Sequence, residues 1–337
     1  MQRKTIYDVA AEAGVSISTV SRVVNNSGYV SKATRKKVIE ACKDFYDISD
    51  DDADREKKPK TIGVIINHEP DYFFMNAIYT NVLLAISVVA KKRGAYLLLE
   101  INEDSKDVFD LYKDKDVDGM ILMGAKRSSG IVEQMAADKV PFVLIGNYHG
   151  SNKNVCCVDI NDRSAVHNVV SYLIGLGHTR IGIITGSQEY ASCADRLDGY
   201  CDALKEANIE INNNYIQICD YLNEMKAENL TKQMLYQKDR ITALVAFNDN
   251  IALAAYKAAK DCGLEIPTDL SVVGFDDTQI AGYLVPPLTS VWQPSREKGE
   301  RAMNLLLDAI ENGTVPSERV ELNCITMHRA SCSSPRE

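Results

Sequence analysis

Short runs of β-branched residues alternate with amphipathic stretches of helical length over most of the chain, from Thr61 onward. This alternation is typical of parallel sheets covered by helices on both faces, and so many strands indicate two sheets and hence two lobes. The pattern predicts strands at 61–66, 95–99, 119–123, 142–145, 181–185, 242–246 and 271–274. It predicts helices at 76–93, 162–176, 196–208, 248–262 and 294–311. Ligands of open α/β sheets bind beyond the carboxyl ends of the strands, so we expect a cleft where loops of both lobes meet.

The segment ahead of this core has the local features of a helix-turn-helix. Thr5 and Asp8 have the spacing of a capping box at the start of a first helix, residues 6–13. Gly14 gives the backbone freedom that a tight turn needs, and Ser16 is placed to cap a second helix. The segment therefore predicts a small helical head with DNA as its partner.

The second predicted helix has one apolar face and one face of short or hydrogen-bonding side chains. The apolar face carries Val20, Val23 and Val24, and the other face carries Ile17, Ser18, Ser21 and Arg22. Such a face fits a major groove, where Arg22 can bind guanine or a phosphate and Ile17 can contact a thymine methyl. A third helix, capped by Ser31, is predicted to bury Val38, Ile39, Cys42 and Phe45 and to expose Arg35, Lys36 and Lys37 towards phosphates. The alternative is a surface helical hairpin, which does not explain why these features coincide.

The head resembles that of the lactose-repressor (LacI) family, because Tyr-Asp-Val-Ala, Ala-Gly-Val-Ser and Thr-Val-Ser-Arg-Val follow one another between Tyr7 and Asn25. Further family motifs begin at Thr61, Leu176, Arg196, Phe247, Val273 and Pro286. The resemblance implies a small all-α helix-turn-helix head plus a two-lobed, periplasmic-binding-protein-like α/β core with parallel sheets. The implied domains are a head at 1–48, a linker at 49–60 and an effector-binding core at 61–337. Lobe 1 would comprise about 61–160 and 294–322, and lobe 2 about 161–291 and 323–337, with three crossings between them.

The resemblance also implies two sets of binding residues. The predicted DNA-binding residues are Thr5, Tyr7, Ser16, Ile17, Ser18, Thr19, Ser21, Arg22, Asn25, Tyr29 and Thr34. The predicted effector-binding residues are Phe73, Phe74, Asn147, Arg196, Tyr221, Asn248, Asp276 and Gln293.

Arg196 matches the family arginine that binds ligand hydroxyls or a carboxylate. The alternative for Arg196 is an ion pair with Asp195 or Asp198. Asn248 and Asp276 follow predicted strands and match family positions that hydrogen-bond to polyols. Asp276 favours a neutral ligand, because a carboxylate in the cleft repels phosphate.

Other residues near the predicted cleft also have alternative structural roles. Phe73 or Phe74 is expected to present a ring to a sugar face, although adjacent phenylalanines also suit a core. Asp249 and Asp277 are expected to cap helices or turns. The only tryptophan, Trp292, replaces a residue that is usually polar or basic in the family.

The linker departs from the family pattern. Relatives usually have a hinge helix here, with a Leu that inserts into the minor groove, whereas this chain has Arg55 or Glu56 after four nearby aspartates. Carboxylates cannot insert between stacked bases, and they repel phosphates. We therefore predict that the minor-groove wedge is absent. The alternative is a hinge helix that still folds, with its acidic face towards solvent.

Composition excludes other classes of protein. A net charge of −9 disfavours a protein coated in nucleic acid. Nine scattered cysteines indicate free thiols of a reducing cytoplasm, and no spacing of cysteines or of the five histidines suggests a metal site. No apolar signal region precedes the head, no run is long enough to cross a membrane, and no cofactor motif occurs, so we expect a cytoplasmic protein without a cofactor.

Three functional classes then compete. A periplasmic-type carrier would have no use for the head. A nucleotide-dependent enzyme would need a glycine-rich phosphate-binding loop, which this sequence lacks. A sugar-responsive repressor accounts for both parts, and because one head reads few bases we expect a homodimer on a palindromic operator. The alternative is a sugar-binding module of the same fold whose operator binding is weakened or lost through the acidic linker. The chain ends without the leucine heptads that would indicate a tetramer.

Overall fold

The computed structural model describes residues 5–24, 30–42, 59–101, 112–114, 117–219 and 223–336. The chain divides into two compact units, with the boundary between Pro59 and Lys60. The predicted acidic linker, 49–60, lies outside the described residues except for its last two, and so does Phe45.

The first unit is a three-helix head. Its helices are α1 (Ile6–Ala13), α2 (Ile17–Val24) and α3 (Lys32–Cys42). The three helices pack around one apolar cluster, formed mainly by Val9, Val20, Val23, Val38, Ile39 and Cys42. This cluster confirms the predicted inward faces of the second and third helices.

Local capping fixes the ends of the head helices. The Asp8 carboxylate accepts hydrogen bonds from the backbone N–H and the hydroxyl of Thr5, both at 2.7 Å. Gly14 has a φ of 65°, the left-handed conformation that ends α1. Ser16 Oγ then accepts from the backbone N–H of Thr19 at 3.2 Å and caps α2. The predicted capping box, turn and second cap are therefore confirmed.

The second unit contains two six-stranded sheets, of which the first is entirely parallel. Its strands are β1 (Thr61–Ile66), β2 (Tyr96–Ile101), β3 (Gly119–Met123), β4 (Phe142–Ile145), β5 (Cys157–Ile160) and β11 (Arg319–Leu322), in the order β11-β5-β4-β3-β1-β2. Helices α4 (Pro70–Met75), α5 (Ala77–Arg93), α6 (Ile131–Ala137) and α12 (Ser295–Glu311) pack with it. We call this sheet with its helices lobe 1.

The second sheet is parallel except for one antiparallel edge strand. Its strands are β6 (Ile181–Thr185), β7 (Ile216–Ile218), β8 (Ala243–Ala246), β9 (Ser271–Asp276), β10 (Thr289–Trp292) and β12 (Ile325–Met327), in the order β12-β10-β9-β8-β6-β7. Its helices are α7 (Asp162–Gly175), α8 (Ala191–Glu206), α9 (Glu224–Leu235), α10 (Asp249–Asp261) and α11 (Gln279–Tyr283). We call this group lobe 2.

The chain passes between the lobes at three places in the described residues. These are the connections β5 to α7, β10 to α12 and β11 to β12. Helix α12 packs on α5, β3, β4 and β5, so it lies on lobe 1. Residues of both lobes line a common cleft.

Two features differ from the sequence-based expectation. The helix predicted at 196–208 begins at Ala191, so Arg196 lies in its second turn rather than at its start. Strands β5, β7, β10, β11 and β12 were not predicted, because they have only three or four residues each and include polar ones. Strands β4 and β8 are as short but wholly apolar, and such an apolar run is the signal of a buried strand.

Candidate functional site

The head presents an exposed face on α2. Ile17 is 42% exposed and Tyr7, on α1, is 67% exposed, although both are large apolar side chains. Ser18 and Arg22 of α2 are also exposed, and Thr19 and Ser21 are half-buried. Such a mixture of small, apolar and cationic side chains suits the edges of base pairs in a major groove.

Three of the predicted DNA-binding residues also have structural roles. Thr5 and Ser16 cap α1 and α2 as described above. Thr34 hydrogen-bonds to Ser31, with 2.8 Å between the hydroxyl oxygens, and its backbone N–H donates to Ser31 Oγ at the start of α3. Asn25 and Tyr29 lie outside the described residues.

In the core, a cavity of about 110 Å³ lies beyond the carboxyl ends of strands from both sheets. Residues that follow four strands form part of its wall: Gly124 after β3, Gly146 and Asn147 after β4, Phe247 after β8 and Asp276 at the end of β9. Four of the predicted effector-binding residues line it, namely Asn147, Arg196, Asp276 and Gln293. A second cavity adjoins it, lined by Asn248, Asp276 and Gln293 among others.

Arg196 is buried and paired within lobe 2. Its Nε donates to Asp162 Oδ1 at 2.7 Å, and its Nη1 donates to the Phe247 carbonyl oxygen at 2.7 Å. The guanidinium carbon lies 3.5 Å from the centroid of the Phe275 ring. Burial, opposed by Arg196, raises the pKa of the Asp162 carboxyl to about 6. The ionic partner of Arg196 is thus Asp162, and neither Asp195 nor Asp198 takes that role.

A second buried network joins the two lobes. Lys298, on α12 and 5% exposed, donates to Asp159 at the end of β5 and to Gln293 Oε1, the latter at 2.6 Å. Gln293 Nε2 donates in turn to Asp276 Oδ1 of lobe 2 at 2.5 Å. Asp159, Asp162 and Lys298 are not among the residues predicted from the sequence. Recognising β5 would have revealed the two aspartates, because they stand at and just after its carboxyl end.

A further contact between the lobes centres on Asp195, in α8. Asn147 Nδ2 donates to Asp195 Oδ2 at 3.0 Å, and His149 Nε2 lies 2.9 Å from Asp195 Oδ1. Asn147 and His149 follow β4 of lobe 1. The predicted ligand residue Asn147 is therefore already engaged in a contact across the cleft.

The aromatic prediction is corrected by the structure. Phe73 is completely buried in the core, and Phe74, although 60% exposed, lines neither cavity. Tyr72, Tyr79 and Tyr190 line the first cavity instead. The reason is the geometry of α4, a helix of a single long turn that directs Tyr72 to the cleft and the next residue to the core.

The tyrosines are held in place by polar contacts. Asn76 Nδ2 donates to the Tyr72 hydroxyl at 2.9 Å. His68 stacks on Tyr190 with 4.8 Å between ring centroids, and its Nε2 lies 2.7 Å from the Tyr79 hydroxyl. Burial, with a smaller contribution from Lys126, lowers the pKa of His68 to about 3, so the ring is neutral at physiological pH. These contacts make the aromatic wall a fixed surface.

The remaining aspartate and asparagine candidates divide between capping and tertiary contacts. Asn248 Oδ1 accepts from the Ile251 N–H at 2.9 Å and caps α10. Asp249 accepts from Ser290 Oγ and from Thr278, so it ties α10 to neighbouring segments instead of acting only as a cap.

Asp277 forms an ion pair with Arg329 at 2.6 Å. Tyr221 lies outside the described residues.

In the part of the chain that the structure describes, no group of His, Cys, Asp and Glu side chains could hold a metal ion. All nine cysteines are free. His178 is buried in the turn between α7 and β6, where its ring nitrogens contact Thr242, Ser271 and the Ser333 carbonyl. Among the described helices, none has the length and apolar character required to span a membrane.

Comparisons with known proteins agree with both parts of this arrangement. Residues 5–45 match the model of bacterial regulatory proteins of the lacI family, and residues 170–332 match that of a periplasmic binding protein-like domain. The HTH-type transcriptional repressor CytR of Escherichia coli is 33% identical over 335 residues, 97% of this chain and 96% of CytR.

Two solved structures cover 98% of this chain and all of their own. They are a complex of the transcriptional regulator CelR with cellobiose, with a TM-score of 0.75 and 29% identity, and the lac repressor dimer bound to operator and an anti-inducer, with a TM-score of 0.74 and 28% identity. The chain has a helix-turn-helix head and a two-lobed core, and its sequence is similar to that of a repressor over nearly its whole length. It therefore belongs to the lacI family of bacterial regulatory proteins.

Proposed function

We propose that this protein is a transcriptional repressor that binds a palindromic operator as a homodimer and changes its operator affinity when a small neutral sugar binds in the cleft. The observation that carries the proposal is the presence, in one chain, of an exposed helix-turn-helix face and a cavity walled by two lobes. No catalytic role is part of the proposal, and a cytoplasmic location follows from access to DNA.

The charges around the first cavity favour a neutral ligand. Both of its cations, Arg196 and Lys298, are already paired with Asp162 and Asp159, and Asp276 adds a further carboxylate. An anionic ligand would have to displace a buried carboxylate from its cation, which is costly in a low-dielectric site. The cellobiose held by CelR supports a sugar, since CelR has a similar fold over its whole length.

Contacts between the lobes supply a route from ligand to operator. The Asn147–Asp195 hydrogen bond and the chain from Lys298 through Gln293 to Asp276 both join lobe 1 to lobe 2. A ligand that binds between the lobes changes the free energy of these contacts and so favours one lobe arrangement. Coupling of this kind typically amounts to about 1–3 kcal/mol between two sites.

The test is fluorescence anisotropy of labelled palindromes from upstream of the protein's own gene, at two salt concentrations, with and without a panel of neutral sugars. We expect salt-sensitive binding that one sugar strengthens or weakens about fivefold or more. Sugar binding without operator affinity would instead indicate a binding module whose head is disabled by the acidic linker. Operator binding that responds only to a phosphorylated or nucleoside ligand would contradict the sugar proposal.

A further inference from the structure

The second cavity is the larger part of the cleft. It has a volume of about 560 Å³, against about 110 Å³ for the first. The two cavities share five residues in their walls: Tyr72, Asn76, Ile78, Asp276 and Gln293. They are therefore adjoining compartments of one cleft. The second compartment has a volume in the range of about 300–1,000 Å³ that is usual for small-molecule sites, and the first adds a smaller space next to Arg196.

Hydrogen-bonding groups that are still available characterise this second compartment. The side-chain amides of Asn81 on α5, Asn250 on α10 and Gln279 on α11 line it, and they make no hydrogen bond to any residue that the structure describes. They come from both lobes. An amide both donates and accepts, which matches the hydroxyl groups of a sugar ring.

The charged groups of the second compartment are all acidic and already engaged. Asp249 accepts three hydrogen bonds and Asp277 is paired with Arg329. No lysine, arginine or histidine is among the described residues that line it. An anionic group is therefore disfavoured here, as it is in the first cavity.

One aromatic ring is exposed in this compartment. Trp292, at the end of β10, is 39% exposed and lines the same cavity as Asn250 and Gln279. An exposed indole and free amides in one cavity provide the apolar face and the hydrogen-bonding groups that a pyranose ring requires.

We propose that the second compartment is a separate sugar subsite, so that the effector is a neutral disaccharide rather than a monosaccharide. One ring occupies the compartment next to Arg196 and Asp276. The other ring stacks on Trp292 and hydrogen-bonds to Asn81, Asn250 and Gln279. This inference rests on the proposed sugar response and adds to it the size of the ligand and the residue that selects it.

Trp292 is the only tryptophan of the chain, so its emission reports directly on this subsite. The experiment titrates the full-length protein with cellobiose, maltose, lactose, glucose and galactose, and follows both heat and tryptophan emission. We expect one disaccharide to bind about tenfold or more tighter than its component monosaccharides and to shift the emission. For Trp292→Leu, which lacks the tryptophan reporter, only the heat of binding is measured. The preference for the disaccharide should be lost, while monosaccharide affinity stays within about twofold and so shows that the fold is intact.

A second variant, Asn250→Ala, should weaken only the disaccharide and leaves the tryptophan in place as a reporter. If monosaccharides bind as tightly as disaccharides and the emission does not change, the second subsite is wrong and the sugar response stands. If no saccharide of the panel binds, both proposals are overturned.

Discussion

The cationic side chains on the proposed DNA-binding face of the head differ in exposure and ion pairing from those in the wall of the core cavity. Arg22 is exposed on α2 and forms no ion pair with any residue that the structure describes, so a partner from outside can neutralise it. Arg196 and Lys298 are buried, and each is neutralised by an aspartate of the same unit. The head therefore suits a polyanion and the core a neutral ligand. Changing one cation in each region should have different consequences.

Breaking a buried pair in the core should have the largest effect. Lys298→Met leaves the Asp159 carboxylate, which is 7% exposed, without its cation, and we expect a loss of about 3–5 kcal/mol in the free energy of unfolding. Urea denaturation of the core measures it.

The matched control is the double variant Lys298→Met with Asp159→Leu. It removes both charges and should recover most of the loss, because an apolar pair avoids the cost of burying ions. A single variant as stable as the wild type would show that the pair is not desolvated as described.

On the head, Arg22→Ala should reduce operator affinity by about 1–3 kcal/mol and relax specificity at one base pair, with no change in core unfolding. Lys37→Ala, also exposed, should weaken binding to all sequences alike and reduce the salt dependence by about one counterion. Anisotropy against a set of single-base operator variants distinguishes the two. Equal behaviour of both variants would refute a base contact by Arg22.

Asp249 should make the free energy of unfolding of the core depend on pH. Burial and the nearby Asp276 raise the pKa of Asp249 from 3.8 to about 7. The folded state therefore holds a proton that the unfolded chain releases, and this stabilisation is lost as the pH rises through about 7. Between about pH 5 and pH 8 the wild type should lose more unfolding free energy than Asp249→Asn, by at least about 1.4 kcal/mol, the equivalent of one pKa unit. Parallel pH profiles of the two proteins would contradict a raised pKa.

The smallest effect is expected from the linker. Glu56→Leu should tighten operator binding by about 1 kcal/mol, because it removes a charge that phosphates repel and supplies an apolar side chain for the minor groove. Glu56→Gln is the matched control, since it removes only the charge. Unchanged affinity in both variants would mean that the linker does not approach the DNA.

Local signals explain what the sequence could predict. The capping box of Thr5 and Asp8 and the turn at Gly14 depend on residues at most four positions apart, and the structure confirms them. The pairing of Arg196 with Asp162, and of Lys298 with Asp159, joins residues 34 and 139 positions apart. Such partners depend on the packing of two sheets, which no local pattern encodes. The choice between Tyr72 and Phe73 as the cavity ring likewise depends on how a six-residue helix is rotated against the core.

Sugar binding in the cleft and operator binding by the head are proposed to share one coupling free energy. Its most direct test is a thermodynamic cycle in which the sugar affinity of the full-length protein is measured with and without operator DNA, and the operator affinity with and without that sugar. The account predicts the same factor in both directions, about fivefold or more. It also predicts loss of the factor, with operator binding retained, in Arg196→Ala combined with Asp162→Ala, which removes both members of the buried ion pair. Tight sugar binding that leaves operator affinity unchanged would contradict the account.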